Sequence, residues 1–210
     1  ALLDIGHSVA TLNILDSGSP KIFWSSPFGI KNIYNEISKK IDITIEELTD
    51  IIFNGSELLT CNREYSDNRL ITIKQILCDK FLNFINEINL PLHSFSSRNG
   101  GKKIREILLS GGASKINNIC GYFTEKTGIK TNLLNSSRII NLPEGIGPNS
   151  FFSDFNIAAG LALSAVRNSE KKINVLPPEK KKFVLLKTIG NSEIVSFILV
   201  IIIILTISGN

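Results

Sequence analysis

Two glycine turns, far apart in the chain, hold the residue types best suited to chemistry. Asp4-Ile5-Gly6-His7-Ser8 lies between two short apolar runs. A glycine at such a tip lets backbone N–H groups close on a phosphate, and the neighbouring carboxylate can hold a metal ion with its waters. Ser8 and Thr11 add hydroxyls. Taken alone, an Asp-x-Gly turn is equally an ordinary tight hairpin. The second turn is Leu108-Leu109-Ser110-Gly111-Gly112-Ala113-Ser114, an apolar strand entering a glycine pair and then an expected helix. The N–H groups at the start of such a helix would face an anionic ligand, and the glycines would let backbone approach it closely. A plain strand-to-helix turn has the same pattern. The two turns in this order are more specific than either alone, and both are expected to face one cleft.

Other constellations offer less. His7 and His93 are the only histidines, far apart and without a Cys-x-x-Cys pair, so no metal site is expected. No Gly-x-Ser-x-Gly turn accompanies them, so no Ser-His-Asp arrangement can be placed. Cys78 beside Leu77 fits a small core residue. Trp24 next to Phe23 fits the edge of a core, and Phe151, Phe152 and Phe155 fit either a core or a contact patch. The three cysteines are odd in number and widely spaced, which suits a reducing compartment.

The elements that must position the turns follow from periodicity. Ala1 to Leu15 reads as strand, turn and strand, closed by Asp16-Ser17-Gly18-Ser19, and Lys21 to Trp24 adds a third strand. From Gly29 the period changes, with Ile30, Ile33, Ile37 and Ile41 on one helical face. Thr44 and Glu47 form a capping box for a helix holding Ile45, Leu48, Ile51 and Ile52. A long helix is expected from about Asn68 to Ile88, and a polar loop from Ser96 to Lys103. Ile104 to Leu109 is a buried strand, followed by a helix from the glycine pair to about Lys126 and a short strand from Thr131 to Leu134. Asn141 to Asn149 is loop by its Pro and Gly content, and Asp154 to Val166 is a last helix with Ala and Leu packed inward. The order gives an α/β fold with a mixed sheet and flanking helices. At 210 residues and 43% hydrophobic content the chain can build a core, and 20% charged residues exclude a disordered one.

Charge is concentrated near the C-terminus. Seven basic residues from Arg167 to Lys187 oppose only Glu170 and Glu179, so a nucleic-acid-binding surface spread over the domain is not expected. The uncharged run Ile194 to Ile207 follows. A span needs roughly 20 apolar residues, and this run ends close to the last residue, so it reads as the beginning of one. The lysines before it sit where the positive-inside rule places them, which puts everything N-terminal in the cytoplasm. A buried C-terminal strand or helix is the alternative. No methionine is present, and Leu2, Leu3 and Ile5 already read as a buried strand. The chain is therefore expected to be a piece of a longer protein, organised as a domain over 1–166, a basic linker over 167–192 and a span beginning over 193–210.

Asp4-Ile5-Gly6-His7-Ser8 resembles the second phosphate loop of the actin-like ATPases (ribonuclease H-like fold), and Ser110-Gly111-Gly112-Ala113-Ser114 resembles their adenosine loop. Within that superfamily, residues 1–166 are similar to the second half of PilM, the actin-like protein of type IV pilus assembly and a relative of FtsA, through to Asn156-Ile157-Ala158-Ala159-Gly160-Leu161-Ala162-Leu163. The resemblance implies a nucleotide site with Asp4, Gly6, Ser8, Gly111, Gly112 and Ser114, and ATP with Mg²⁺ as cofactors of a full-length parent. Ile173-Asn174-Val175-Leu176-Pro177 resembles the docking peptide at the start of PilN, the single-span partner, here joined in cis. An extended linker is the alternative for it, since Pro177-Pro178 enforces extended backbone.

The family's Ala-Glu-x-x-Lys pattern is replaced by Leu48-Thr49-Asp50-Ile51-Ile52, and His7 stands where a small residue is common. With the first phosphate loop also missing, no bound cofactor and no hydrolysis are expected of this chain alone. Two functions are implied. One is an inner-membrane scaffold linking a cytoplasmic motor to other inner-membrane and periplasmic pilus or secretion parts. The other is a nucleotide-hydrolysing enzyme of the same superfamily.

Overall fold

The computed structural model describes residues 1–55, 58–60, 65–135 and 152–166, together with Pro177. The chain divides into a unit Ala1–Leu163 and a second, Ser164–Asn210, whose described part is the end of the last helix and Pro177. In the first unit, β1 (Leu2–Ile5), β2 (Ala10–Asp16) and β3 (Ser19–Ser26) form an antiparallel meander. Its hairpin turn uses Ser17 and Gly18 at positive φ, the backbone that a two-residue connection requires. Next come α1 (Ile30–Lys40), α2 (Ile45–Phe53) and α3 (Asn68–Arg98). β4 (Ile107–Ser110), a 3-10 turn over Gly112–Lys115, α4 (Ile119–Thr127), β5 (Thr131–Leu133) and α5 (Phe152–Val166) complete the order. The sheet runs β3-β2-β1-β4-β5, with β1, β4 and β5 parallel. This is the mixed sheet that the sequence predicts.

Alternation along the strands places Leu3, Ile5, Leu12, Ile14 and Leu109 on one sheet face, all fully buried. The longest helix, α3, covers that face. It continues past Ile88, the end that the sequence suggests, because its apolar spacing persists through Leu92 to Phe95. Pro91 is buried within it, so burial of the stripe outweighs the backbone hydrogen bond a proline removes. The expected loop from Ser96 accordingly begins after Arg98. At the centre, Phe28 stacks on Phe84 at 4.1 Å, while Phe81 meets Phe28 and Phe123 edge-on at 5.6 and 6.0 Å.

Two other expectations are corrected. No helix runs unbroken from the glycine pair to Lys126. The 3-10 turn stops at Lys115, and Asn118 at φ 61° separates it from α4. The Asn118 side chain is drawn aside to donate to the Leu59 carbonyl at 2.7 Å, and Asn117 donates to Gly55 O at 3.0 Å. Of the Ala and Leu residues expected inward on α5, only some are. The stripe Asn156, Ala159, Leu163 faces the domain, leaving Ile157 and Leu161 on the opposite side, 64% and 65% exposed. The Asn141–Asn149 loop and the Phe151, Phe152 and Phe155 side chains lie outside the described residues.

Phe84→Ala should lower stability by about 3–5 kcal/mol, since it empties the ring cluster. Phe23→Ser, at a ring 69% exposed, should change it by less than ~0.5 kcal/mol. Urea unfolding of the two variants checks this contrast.

Candidate functional site

Parallel pairing of β1 with β4 decides where the glycine turns lie. Leu2 pairs with Leu108, Leu3 with Leu109 and Asp4 with Ser110, so both strands deliver their turns at the same end of the sheet. Asp4 is also paired with Thr11 on β2. The side chains of Asp4, Thr11 and Ser110 share the face opposite the Leu3–Leu109 core, on strands about 4.8 Å apart. Asp4 is half-buried, and among the described residues its carboxylate has no hydrogen-bonding or ionic partner.

The second turn is built directly against the first. Gly111 adopts φ 85°, ψ 170°, a conformation close to the glycine-only region. A Cβ there would lie 2.5 Å from the carbonyl oxygen of Ile5. Gly112, by contrast, has open space where its Cβ would be. Ser114 closes the turn on itself, its N–H and Oγ donating to Gly111 O at 3.0 and 2.7 Å. Its hydroxyl therefore serves the turn and is 2% exposed.

In the first turn Gly6 donates its N–H to Val9 O at 3.0 Å. The start of α1 rests on the same loop, for Ile30 and Lys31 donate to Gly6 O and His7 O at 3.2 and 2.9 Å. Asn32 takes the Gly29 N–H at 3.0 Å, so the leading donors of α1 are satisfied by the protein itself. A side chain at Gly29 would collide with the His7–Ser8 peptide, which is why the helix can approach so closely. The N–H groups of His7, Ser8 and Gly112 make no hydrogen bond among the described residues. They lie on the two turns at the end of the sheet where Asp4, without a partner among the described residues, also sits. These residues fit one phosphate-and-cation edge of a nucleotide site.

Two residues at this end, Ser110 and Asn156, stand within the quoted motifs but were given no role in the site by the sequence. Ser110 is buried at 2% exposure and accepts from Asn156 Nδ2 at 3.3 Å, and the same Nδ2 donates to Leu134 O at 3.3 Å. Asn156 thus pins α5 to the ends of β4 and β5 beside Asp4. The available signal was Asn156, polar and immediately before the apolar run Ile157–Leu163. Asp50 does not replace the missing acid of the Ala-Glu-x-x-Lys pattern through any contact seen here. It is exposed and accepts from Asn54 Nδ2 at 3.0 Å on its own helix. Burial raises the Cys120 thiol above its ordinary pKa, away from the lowered values of reactive thiols.

A model of the type IV pilus assembly protein PilM matches residues 1–166. The chain belongs to the PilM family. Among solved structures, a PilM-PilN type IV pilus biogenesis complex is similar at a TM-score of 0.62 and 17% identity, over 79% of this chain and 45% of that one. MreB5 of Spiroplasma citri bound to ADP is similar at 0.51 and 17%, over 77% and 51%. The same protein bound to AMPPNP is similar at 0.50 and 16%, over the same shares. These likenesses establish an actin-like fold. This PilM-family chain spans about half the length of the proteins in these structures. A comparison with curated proteins found no match.

Gly111→Ala should destabilise the domain by at least ~2 kcal/mol through its positive φ and the Ile5 carbonyl. Gly112→Ala should be neutral or stabilising by up to about 1 kcal/mol. Thermal and urea midpoints of the pair check that the second turn is seated on β1.

Proposed function

We propose that this PilM-family chain is the membrane-linked, actin-like scaffold of type IV pilus assembly or a related secretion system, carrying its docking peptide and anchor in cis. The observation that carries the proposal is the order in one chain. A PilM-family domain over residues 1–166 is followed by Ile173-Asn174-Val175-Leu176-Pro177, a lysine cluster and the apolar run Ile194 to Ile207. Of the segments after Val166, only Pro177 is among the described residues, and it is exposed. Among the described residues no helix is long and apolar enough to cross a membrane, and the apolar run lies outside them. Alternating Ile173, Val175 and Pro177 can present one face of an extended segment to a groove, and a short tether raises its effective concentration. A PilN-like segment is supported as partner by the PilM-PilN complex among the structural neighbours. The anchor would hold the domain on the cytoplasmic face of a bacterial inner membrane, between a motor and periplasmic parts.

A second reading, nucleotide binding, is favoured by the unpartnered Asp4 carboxylate beside the His7, Ser8 and Gly112 N–H groups. MreB5 was solved with ADP and with AMPPNP, which supports it. Mg²⁺ held through Asp4 would neutralise phosphate charge when bound. The backbone donors would orient the phosphates, and the open space at Gly112 would admit ligand. Half a site supplies only part of the contacts a multiply charged ligand needs, so binding is assigned to a longer parent and turnover is not.

Mg-ATP titration of a longer parent containing the upstream half should show binding that Asp4→Ala weakens at least tenfold, with no phosphate release. Phosphate release abolished by Asp4→Ala would replace the scaffold by an enzyme. Carbonate extraction should leave the chain in the membrane and release it once Ile194 to Ile207 is deleted. Retention after deletion would end the anchor assignment.

A further inference from the structure

The end of the sheet opposite the glycine turns carries most of the domain's unpaired positive charge. β1 and β4 start there, β2 ends there and β3 begins there. β5 starts beside β4, with Ile107 donating to Lys130 O at 2.9 Å. Lys21, Arg98, Lys102, Lys103, Arg105 and Lys130 collect at this end, all exposed, against Asp16 and Glu106. Lys102 reaches across to Asp16 at 2.8 Å, joining the β2–β3 hairpin to the loop after α3. That hydrogen bond holds the Asp16 carboxyl below the usual carboxylate range. Lys21, Arg98, Lys103, Arg105 and Lys130 have no ion-pair partner among the described residues.

The opposite pole carries both signs: Lys31 lies at the start of α1 on the first glycine turn, Lys115 follows the second, and Arg69 pairs with Glu47 at 3.1 Å. Asp42, Glu46, Glu47 and Asp50 lie on α2 and its lead-in, with no Lys or Arg between Ile41 and Gly55. The end of this segment is tied, through Gly55 O, to Asn117 just after the second glycine turn. Cations without an ion-pair partner are thus in excess at the end where β1 and β4 start, while the α2 end mixes carboxylates with cations. Apolar groups accompany the cations: Leu15 is 45% exposed, and Phe23, two residues from Lys21 on the same strand side, is 69% exposed. Cations ringed with a few exposed apolar side chains suit the headgroup layer of a membrane. A single exposed ring does not make the row of stacking platforms used by single-stranded nucleic acid.

We infer that this basic pole of the sheet docks on anionic lipid headgroups and turns the glycine-turn end away from the bilayer. The inference rests on the membrane-anchored reading above and adds an orientation to it. With Ile173–Pro177 docked as in that reading, residues 178–193 remain before Ile194, and fully extended they would reach on the order of 50 Å. A tether of that reach does not by itself select the face that approaches the lipid. Surface charge then selects the face, attracting the basic pole and repelling the carboxylates of α2.

The test uses the full chain in lipid discs of phosphatidylcholine, with and without phosphatidylglycerol, and follows acetylation of each lysine by mass spectrometry. Phosphatidylglycerol should slow Lys21, Lys103 and Lys130 about fivefold or more while leaving Lys31 and Lys115 unchanged. About 1 M salt, where the Debye length is ~3 Å, should abolish the difference. Lys103→Glu with Arg105→Glu should release Lys21 and Lys130 without moving the thermal midpoint. Equal rates in the two discs, or protection of Lys31 and Lys115 instead, would overturn the orientation. Stronger protection by a DNA oligonucleotide than by phosphatidylglycerol vesicles would overturn it in favour of nucleic acid. If neutral discs fail to retain the chain, the anchor fails separately. Co-sedimentation with phosphatidylglycerol vesicles then decides the pole, and absence from the pellet refutes it.

Discussion

The parallel pairing of β1 with β4 is the interaction on which the rest of this molecule depends. It joins Leu2–Asp4 to Leu108–Ser110 across more than half of the described chain and seats Gly111 on the Ile5 carbonyl. Closing so long a loop carries an entropic cost that only substantial burial offsets. Here that burial comes from the intervening helices, above all α3, whose aromatic and aliphatic stripe fills the same sheet face from Trp24 to Phe123. The core and the candidate site are two faces of one sheet: Leu3, Ile5 and Leu109 turn inward, while Asp4 and Ser110 turn outward.

This division explains how the site is held. Its backbone donors sit on turns whose other hydrogen bonds are already satisfied, Gly6 with Val9, Gly111 with Ser114, and α1 with the carbonyls of Gly6 and His7. Turns tied down on both sides keep their remaining N–H groups in place without help from a ligand. The donor-rich start of α1, which a quick reading of the topology would offer to an anion, is consumed in fixing the loop. The Asp4 carboxylate is left for other work because both neighbours along its strand are buried in the core.

The two ends of the sheet thus have different tasks. One presents glycine turns with Asp4, Ser110 and Asn156; the other presents cations with Leu15 and Phe23. The strands run between them and set the separation, so each end is positioned by the same ladder. A PilM-family domain with unpaired cations in excess at one end has a built-in direction.

Much of this was legible in the residues. Period-two alternation from Leu2 to Ile14, the isoleucines of α1, the Thr44–Glu47 cap and the glycine turns are local, so chain chemistry alone determined the elements and their order. The sequence also determined the candidate pair of turns and the charged and apolar segments after Val166. Tertiary structure decided what depends on distant partners. α3 outlasts Pro91 because the sheet continues to receive its apolar face, and the helix after Gly112 breaks because Asn117 and Asn118 are bonded to the segment Gly55–Leu59. Ser110 meets Asn156, and six scattered cations gather at one pole, only because parallel strands begin and end together. Local periodicity records which side of an element is apolar, but nothing in it records which other element will lie against that side.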